Sequence, residues 1–242
     1  MRITWTIAGL AFLAACATGQ NDAADTTAAA GGDTATVAAA GSTDNDPDQA
    51  TAGGGVPAGY IGAVDPARPG RTPASISGAQ YTSADGRWEI RTGPAHIVYA
   101  NKDTASGQYT ASVQIDQLEN PTHPEAFGIF VGGQNLQQPD QQRYTYFLVR
   151  GGGEVLVKVR DGAATRDVVG WRAAEGVPRA DASGKVAYKL GVQVGADSVR
   201  FMVNDRAVAS APKAGLPTDG VVGLRVNHNL HVMASPVEIA KR

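Results

Sequence analysis

From Trp88 onward, apolar and polar residues alternate in short bursts, with Gly, Pro, Asn and Asp between the bursts. Tyr109, Ala111, Val113 and Ile115 alternate with Thr110, Ser112, Gln114 and Asp116, the period of two that marks a half-buried strand. Similar bursts cover 126–132, 144–150, 155–160, 168–171, 186–194, 199–203, 206–211, 221–226 and 231–240. Trp88–Arg91 and Ala95–Ala100 read as a first pair of strands split by Gly93-Pro94. Asn204-Asp205 reads as a two-residue hairpin turn. No segment carries a helical stripe over ten residues. Many short strands at close spacing predict an all-β, two-sheet antiparallel sandwich or jelly roll over 76–242.

The stretch Phe127–Asp161 specifies its pairing most fully. Phe147 and Val149 share one face of their strand, and Tyr144, Tyr146, Leu148 and Arg150 share the other. Val155, Val157 and Val159 oppose Leu156, Lys158 and Arg160 in the same way. A three-residue turn at Gly151-Gly152-Gly153 pairs Arg150 with Glu154, Leu148 with Leu156, Tyr146 with Lys158 and Tyr144 with Arg160. A turn one residue longer would mix the two faces. The expected result is an apolar face toward the core and a Tyr/Arg/Lys face outward, suited to stacking and hydrogen bonding.

The first third of the chain is different. Met1-Arg2 is followed by an apolar run over 3–15, too short for a spanning helix and right for an export signal. It ends Leu13-Ala14-Ala15-Cys16 and looks like a bacterial lipobox, which implies a signal peptide at 1–15 and lipidation of Cys16. Ala17 at the next position implies sorting to the outer membrane rather than retention at the inner one. Several acyl chains at about 0.8 kcal/mol per buried methylene would hold the chain firmly. Residues 16–75 are Ala, Thr, Gly and Asp with few large apolar side chains, a composition that cannot offset ordering entropy. They read as a disordered, acidic tether, able to reach on the order of 40 Å. Its one apolar cluster, Val56–Ile61, is expected to dock on the domain.

Composition narrows the rest. The chain has 242 residues, a formal net charge of −2 and one cysteine, so no intrachain disulfide forms and nothing points to nucleic acid. The order F-G-I-F, polar loop, RYTYFLVR, glycine turn and LVKVRDG is followed by VVGW at 168–171, VRFMVNDRAV at 199–208 and GVVGLRV at 220–226. It resembles the concanavalin A-like, laminin-G-like sandwiches of bacterial secreted proteins. The resemblance implies two curved sheets that often carry sugar-binding or glycosidase sites, and a relation to keto-disaccharide hydrolase domains.

The chemistry of catalysis is thin. The E-x-D-x-x-E strand signature of sandwich glucanases is absent, and Asp116 and Glu119 read as surface acids. There is no Gly-x-Ser-x-Gly elbow and no Walker loop. His228 and His231 lie three apart, on opposite faces of a strand, with no third ligand at metal-site spacing, so neither a metal nor a cofactor is expected. No Asp-rich loop supplies calcium ligands. The favoured reading is a membrane-anchored lipoprotein presenting a non-catalytic sandwich to a glycan or another envelope partner. A glycoside or keto-disaccharide hydrolase or lyase, and a structural envelope protein without a small ligand, remain open. The candidate ligand-binding residues are Gln134, Asn135, Tyr144, Tyr146, Arg150, Lys158, Arg160 and His228.

Overall fold

The computed structural model describes residues 55–66 and 74–242. The export signal at 1–15, Cys16 and most of the 16–75 tether lie outside the described residues. The described chain contains β1 (Ile61–Val64), β2 (Gln80–Ala84), β3 (Arg87–Arg91), β4 (His96–Ala105), β5 (Tyr109–Gln117), β6 (Ala126–Gln134), β7 (Arg143–Arg150) and β8 (Glu154–Asp161). It continues with β9 (Ala164–Ala173), β10 (Val186–Val194), β11 (Ser198–Val203), β12 (Arg206–Pro212), β13 (Gly220–Val226), β14 (His231–Ala234) and β15 (Glu238–Lys241). There is no α-helix among them.

The strands form a two-sheet antiparallel sandwich. The first sheet runs β1-β4-β13-β6-β7-β8-β9, and the second runs β12-β11-β10-β5-β14-β3-β2, with β15 also paired to β5. Side chains alternate across each strand, so every second residue enters the core between the sheets. Phe127, Ile129 and Val131 of β6, Phe147 and Val149 of β7, and Val155 and Val157 of β8 meet Tyr188, Leu190 and Val192 of β10 and Phe201 of β11 there.

Local chemistry explains the turns. Asn204 and Asp205 both have positive φ, 49° and 63°, and link Val203 directly to Arg206. That is the primed turn whose twist matches antiparallel strands. The glycine turn pairs Arg150 with Glu154, Leu148 with Leu156, Tyr146 with Lys158 and Tyr144 with Arg160, the register predicted from the pattern. Gly153 sits at φ 80°, the position that closes a three-residue loop. Gly132, at φ 68°, lies in the bulge of β6, where a Cβ would come within 2.3 Å of the Pro217 backbone.

Three expectations need correction. Trp88–Arg91 and Ala95–Ala100 are not a pair: β3 belongs to the second sheet and β4 to the first, and Gly93-Pro94 carries the chain across the core. Trp88 and Val98 face one core from opposite layers, and alternation alone cannot tell that crossing from a hairpin. The 231–240 burst breaks at Ser235-Pro236 into two strands on the same edge of β5, since proline has no N–H for the ladder. The last part of the stretch read as tether supplies β1, paired to β4 from Ile61↔Tyr99 to Val64↔His96. The expected docking of Val56–Ile61 is seen: Val56 and Tyr60 pack on the core, and Tyr60 stands edge-on to Trp88 at 4.5 Å.

Candidate functional site

The structure divides the candidate residues among three places. The first is the face of the first sheet turned away from the core. Tyr144, Tyr146, Leu148 and Leu156 lie there with Ile97, Tyr99 and Phe130, as the register requires, but this face is sealed. Tyr144 is 0% exposed and Arg160 5%. Leu136 folds over the layer from the 135–142 loop, and Ile61 and Ala63 of β1 pack against it. Expecting Tyr144, Tyr146 and Arg160 to face outward is therefore corrected. The apolar members of the face recruit cover, and the cations are neutralised beneath it.

The neutralising group is Asp65, just after β1. Its carboxylate accepts two hydrogen bonds from the Arg225 guanidinium and lies 3.2 Å from Arg160 Nη2. Arg160 Nε donates to the Tyr144 hydroxyl at 3.0 Å. Burial alone would raise the Asp65 carboxyl, but Arg225 and Arg160 hold it below its ordinary value. Burial likewise opposes charge on Arg225, and Asp65 overrides it and keeps the guanidinium firmly protonated. At the edge of this region His96 is fully buried between the sheets. Its Nδ1 donates to the Pro94 carbonyl at 2.8 Å, so Nε2 accepts from the Tyr81 hydroxyl at 2.6 Å. Burial pushes its pKa down to about 4, so it is neutral at pH 7.

The second place is an open groove of about 410 Å³ at the other end of the same face. Tyr99, 2% exposed, lies beneath it, and Asn101, Asn135, Gln137 and Gln138 rim it. The Gln137 side chain bonds the Tyr99 hydroxyl. Asn135 takes the left-handed conformation, φ 53°, as the loop leaves β6. Gln142 is buried and donates to the Leu136 carbonyl at 2.9 Å, which fixes the loop. Gln134 stands apart from the groove and donates to Asp219 O at 3.2 Å. Amide donors and acceptors around the groove, without a formal charge, fit a neutral hydroxyl-rich ligand.

The third place is a cleft of about 450 Å³ at the end of the sandwich, lined by Gln117, His123, Glu125, Arg150, Glu154 and Arg179 among others. Arg150 lies 3.3 Å from Glu154 and stacks its guanidinium 3.6 Å over Trp171. Lys158 lies on the first face opposite Tyr146, half-buried and 3.1 Å from Asp167. Gln117 Oε1 and Arg150 Nε have no hydrogen-bond partner among the described residues, although both atoms are buried. Beside the cleft, Glu125 Oε1 lies 2.7 Å from His228 Nε2 and 3.1 Å from His123 Nδ1, while Asn227 donates to Oε2 at 3.0 Å. Burial would raise the Glu125 carboxyl, but its bonds from His228 and Asn227 and the nearby imidazoles bring it below its ordinary value.

His123 and Glu125 were not singled out from the sequence. The available signal was H-P-E, two side chains at i and i+2 on an extended segment between Pro121 and the strand. The expected separation of His228 from His231 holds: His231 faces Glu89 at 2.7 Å and Glu119 at 3.3 Å instead. Spacing along the chain shows no third ligand beside His228, but in the fold a loop about a hundred residues away brings His123 and Glu125 to it. His123, Glu125 and His228 bring ligand atoms within 4.8 Å of one another. Asp116, read as a surface acid, pairs with Arg87 at 2.8 Å.

The strands define a two-sheet antiparallel β-sandwich. The carbohydrate-binding module CBM66 from Bacillus subtilis is similar, with 13% identity over 67% of this chain and 92% of that one, and a TM-score of 0.52. A protein of unknown function with a galectin-like fold, also from Bacillus subtilis, is similar at 9% identity over 75% of this chain and 89% of that one, with a TM-score of 0.55. At these identities the likeness is one of fold. No protein-family model matches the chain, and no curated protein is similar to it in sequence.

Proposed function

We propose that the chain is a bacterial lipoprotein, anchored through Cys16 in the outer membrane, whose sandwich binds a neutral glycan without transforming it. The observation that carries this reading is the groove beside Tyr99, rimmed by Asn101, Asn135, Gln137 and Gln138. Amides match sugar hydroxyls as paired donors and acceptors. The fold shared with a carbohydrate-binding module supports the same reading. Glycoside hydrolysis requires a pair of carboxyls flanking the scissile bond, and no carboxyl is among the described residues that line the groove.

The test is a glycan array followed by calorimetry on the full chain. Saturable binding of one glycan class is expected, reduced about tenfold or more by Asn101→Ala with Gln137→Ala, the loss of two or more hydrogen bonds. Absence of any glycan ligand overturns the reading. Anchoring is tested separately: the Cys16→Ser chain is expected in the soluble fraction, and its continued sedimentation with membranes contradicts the anchor.

A further inference from the structure

We propose that His123, Glu125 and His228 form a binding site for a borderline divalent transition metal ion, Zn²⁺ being the best chemical match, with a coordination position left open toward the cleft. The inference is independent of glycan binding in the groove.

The donor set is two imidazole nitrogens and one carboxylate oxygen, which suits zinc, nickel or copper and not the all-oxygen shells of calcium or magnesium. Three protein ligands plus one free position is the arrangement of an ion that takes water or another ligand. A tetrahedral ion about 2.1 Å from each donor sets those donors ~3.4 Å apart. Glu125 Oε1 already lies 2.7 Å from His228 Nε2 and 3.1 Å from His123 Nδ1, so only small side-chain shifts are needed.

The surroundings hold the donors in place. Asn227 donates to Glu125 Oε2 at 3.0 Å and so turns Oε1 toward the imidazoles, the kind of outer contact that fixes a ligand's orientation. Two loops meet at the site. The β5–β6 loop carries His123 and Glu125, and the β13–β14 loop carries His228. Asn227 N–H donates to the Ala126 carbonyl at 3.0 Å, and the Asn229 side chain bonds Thr122 Oγ1 at 2.7 Å. Access is open from one side, since the His123 side chain is 43% exposed while that of Glu125 is 12% exposed.

The cleft supplies the other half of the argument. His123 and Glu125 are part of its wall, and the Arg150 and Arg179 guanidiniums line it as well. A ligand oxygen, from water or from a small carboxylate or phosphate, can fill the open position while the cationic side chains face its charge. Binding of the ion requires both facing imidazole nitrogens to be deprotonated, so affinity falls as the solution is acidified.

The experiment is a calorimetric titration of the tag-free, EDTA-treated full chain with ZnCl₂, with Co²⁺ visible absorption as a report on coordination. One ion per chain is expected, with a tetrahedral-type Co²⁺ band and a rise in melting temperature on saturation. His123→Ala, His228→Ala and Glu125→Gln are each expected to weaken binding about tenfold to a hundredfold. Glu125→Gln keeps an oxygen that accepts from the imidazoles, so it separates loss of a ligand charge from loss of folding. His231→Ala is expected to bind like the unmodified chain. No binding below about 1 mM, or unchanged affinity in the three variants, overturns the proposal.

Discussion

The Asp65–Arg225–Arg160 cluster and the His123–Glu125–His228 cluster both gather charge at the first sheet, and they have opposite fates. The first is closed: its cations lie under apolar cover and are matched by a carboxylate from the start of the described chain. The second is open at the mouth of a cleft that retains unsatisfied polar atoms. Charge in a protein marks a ligand site only where the protein has not satisfied it already. Closed clusters hold the fold together, and open ones are available to a partner.

The largest effect that separates the two regions is on stability. Asp65→Ala strands two buried guanidiniums, and removing one partner from such a pair costs about 3–5 kcal/mol. Urea unfolding is expected to show that loss for Asp65→Ala, against about 1 kcal/mol for Glu125→Gln at the accessible cluster. Equal costs would erase the contrast.

The pH dependence of stability is the next way to sharpen it. His96 has a folded pKa of about 4 against an ordinary 6.5, so the unfolded chain binds the extra proton between those values. Its contribution is complete above about pH 6.5 and is lost as pH falls toward 4, by ~3 kcal/mol. Asp65 and Glu125 are both depressed, so their contributions are present above the ordinary carboxylate range and are lost only below it. Denaturation at pH 7, 5.5 and 4 is expected to show a decline that His96→Gln removes in the upper part of that window. A smaller effect belongs to the turn that aligns the face. Gly153→Ala, at φ 80° with Arg179 Cγ 3.0 Å from the new methyl, is expected to lower stability by about 1–2 kcal/mol without changing the register.

The pattern of valines carried the hairpin to its residue-by-residue register, because one face was apolar and only one turn length kept it so. Leu136 was the visible warning that the amide-rich loop would fold back, being the apolar residue among its glutamines. The role of Asp65 had no local signature. It lies in an acidic stretch composed like a tether, and its partners are brought to it by β1 pairing with β4, a contact made far along the chain. The same holds for Glu125 and His228, which meet only because the β5–β6 and β13–β14 loops share one end of the sandwich. Strand chemistry is local and so is readable; site chemistry here is assembled by topology.

Whether the groove beside Tyr99 is where a glycan binds is decided by calorimetry. Calorimetry with the glycan selected on the array compares the unmodified chain with the Asn101→Ala, Gln137→Ala chain and with Tyr146→Phe in the closed layer. The groove pair is expected to lose most of the affinity while its melting temperature is kept, and Tyr146→Phe is expected to bind as before. Binding that survives the groove pair but is lost with Tyr146→Phe would place the ligand in the sealed layer and rule out the groove.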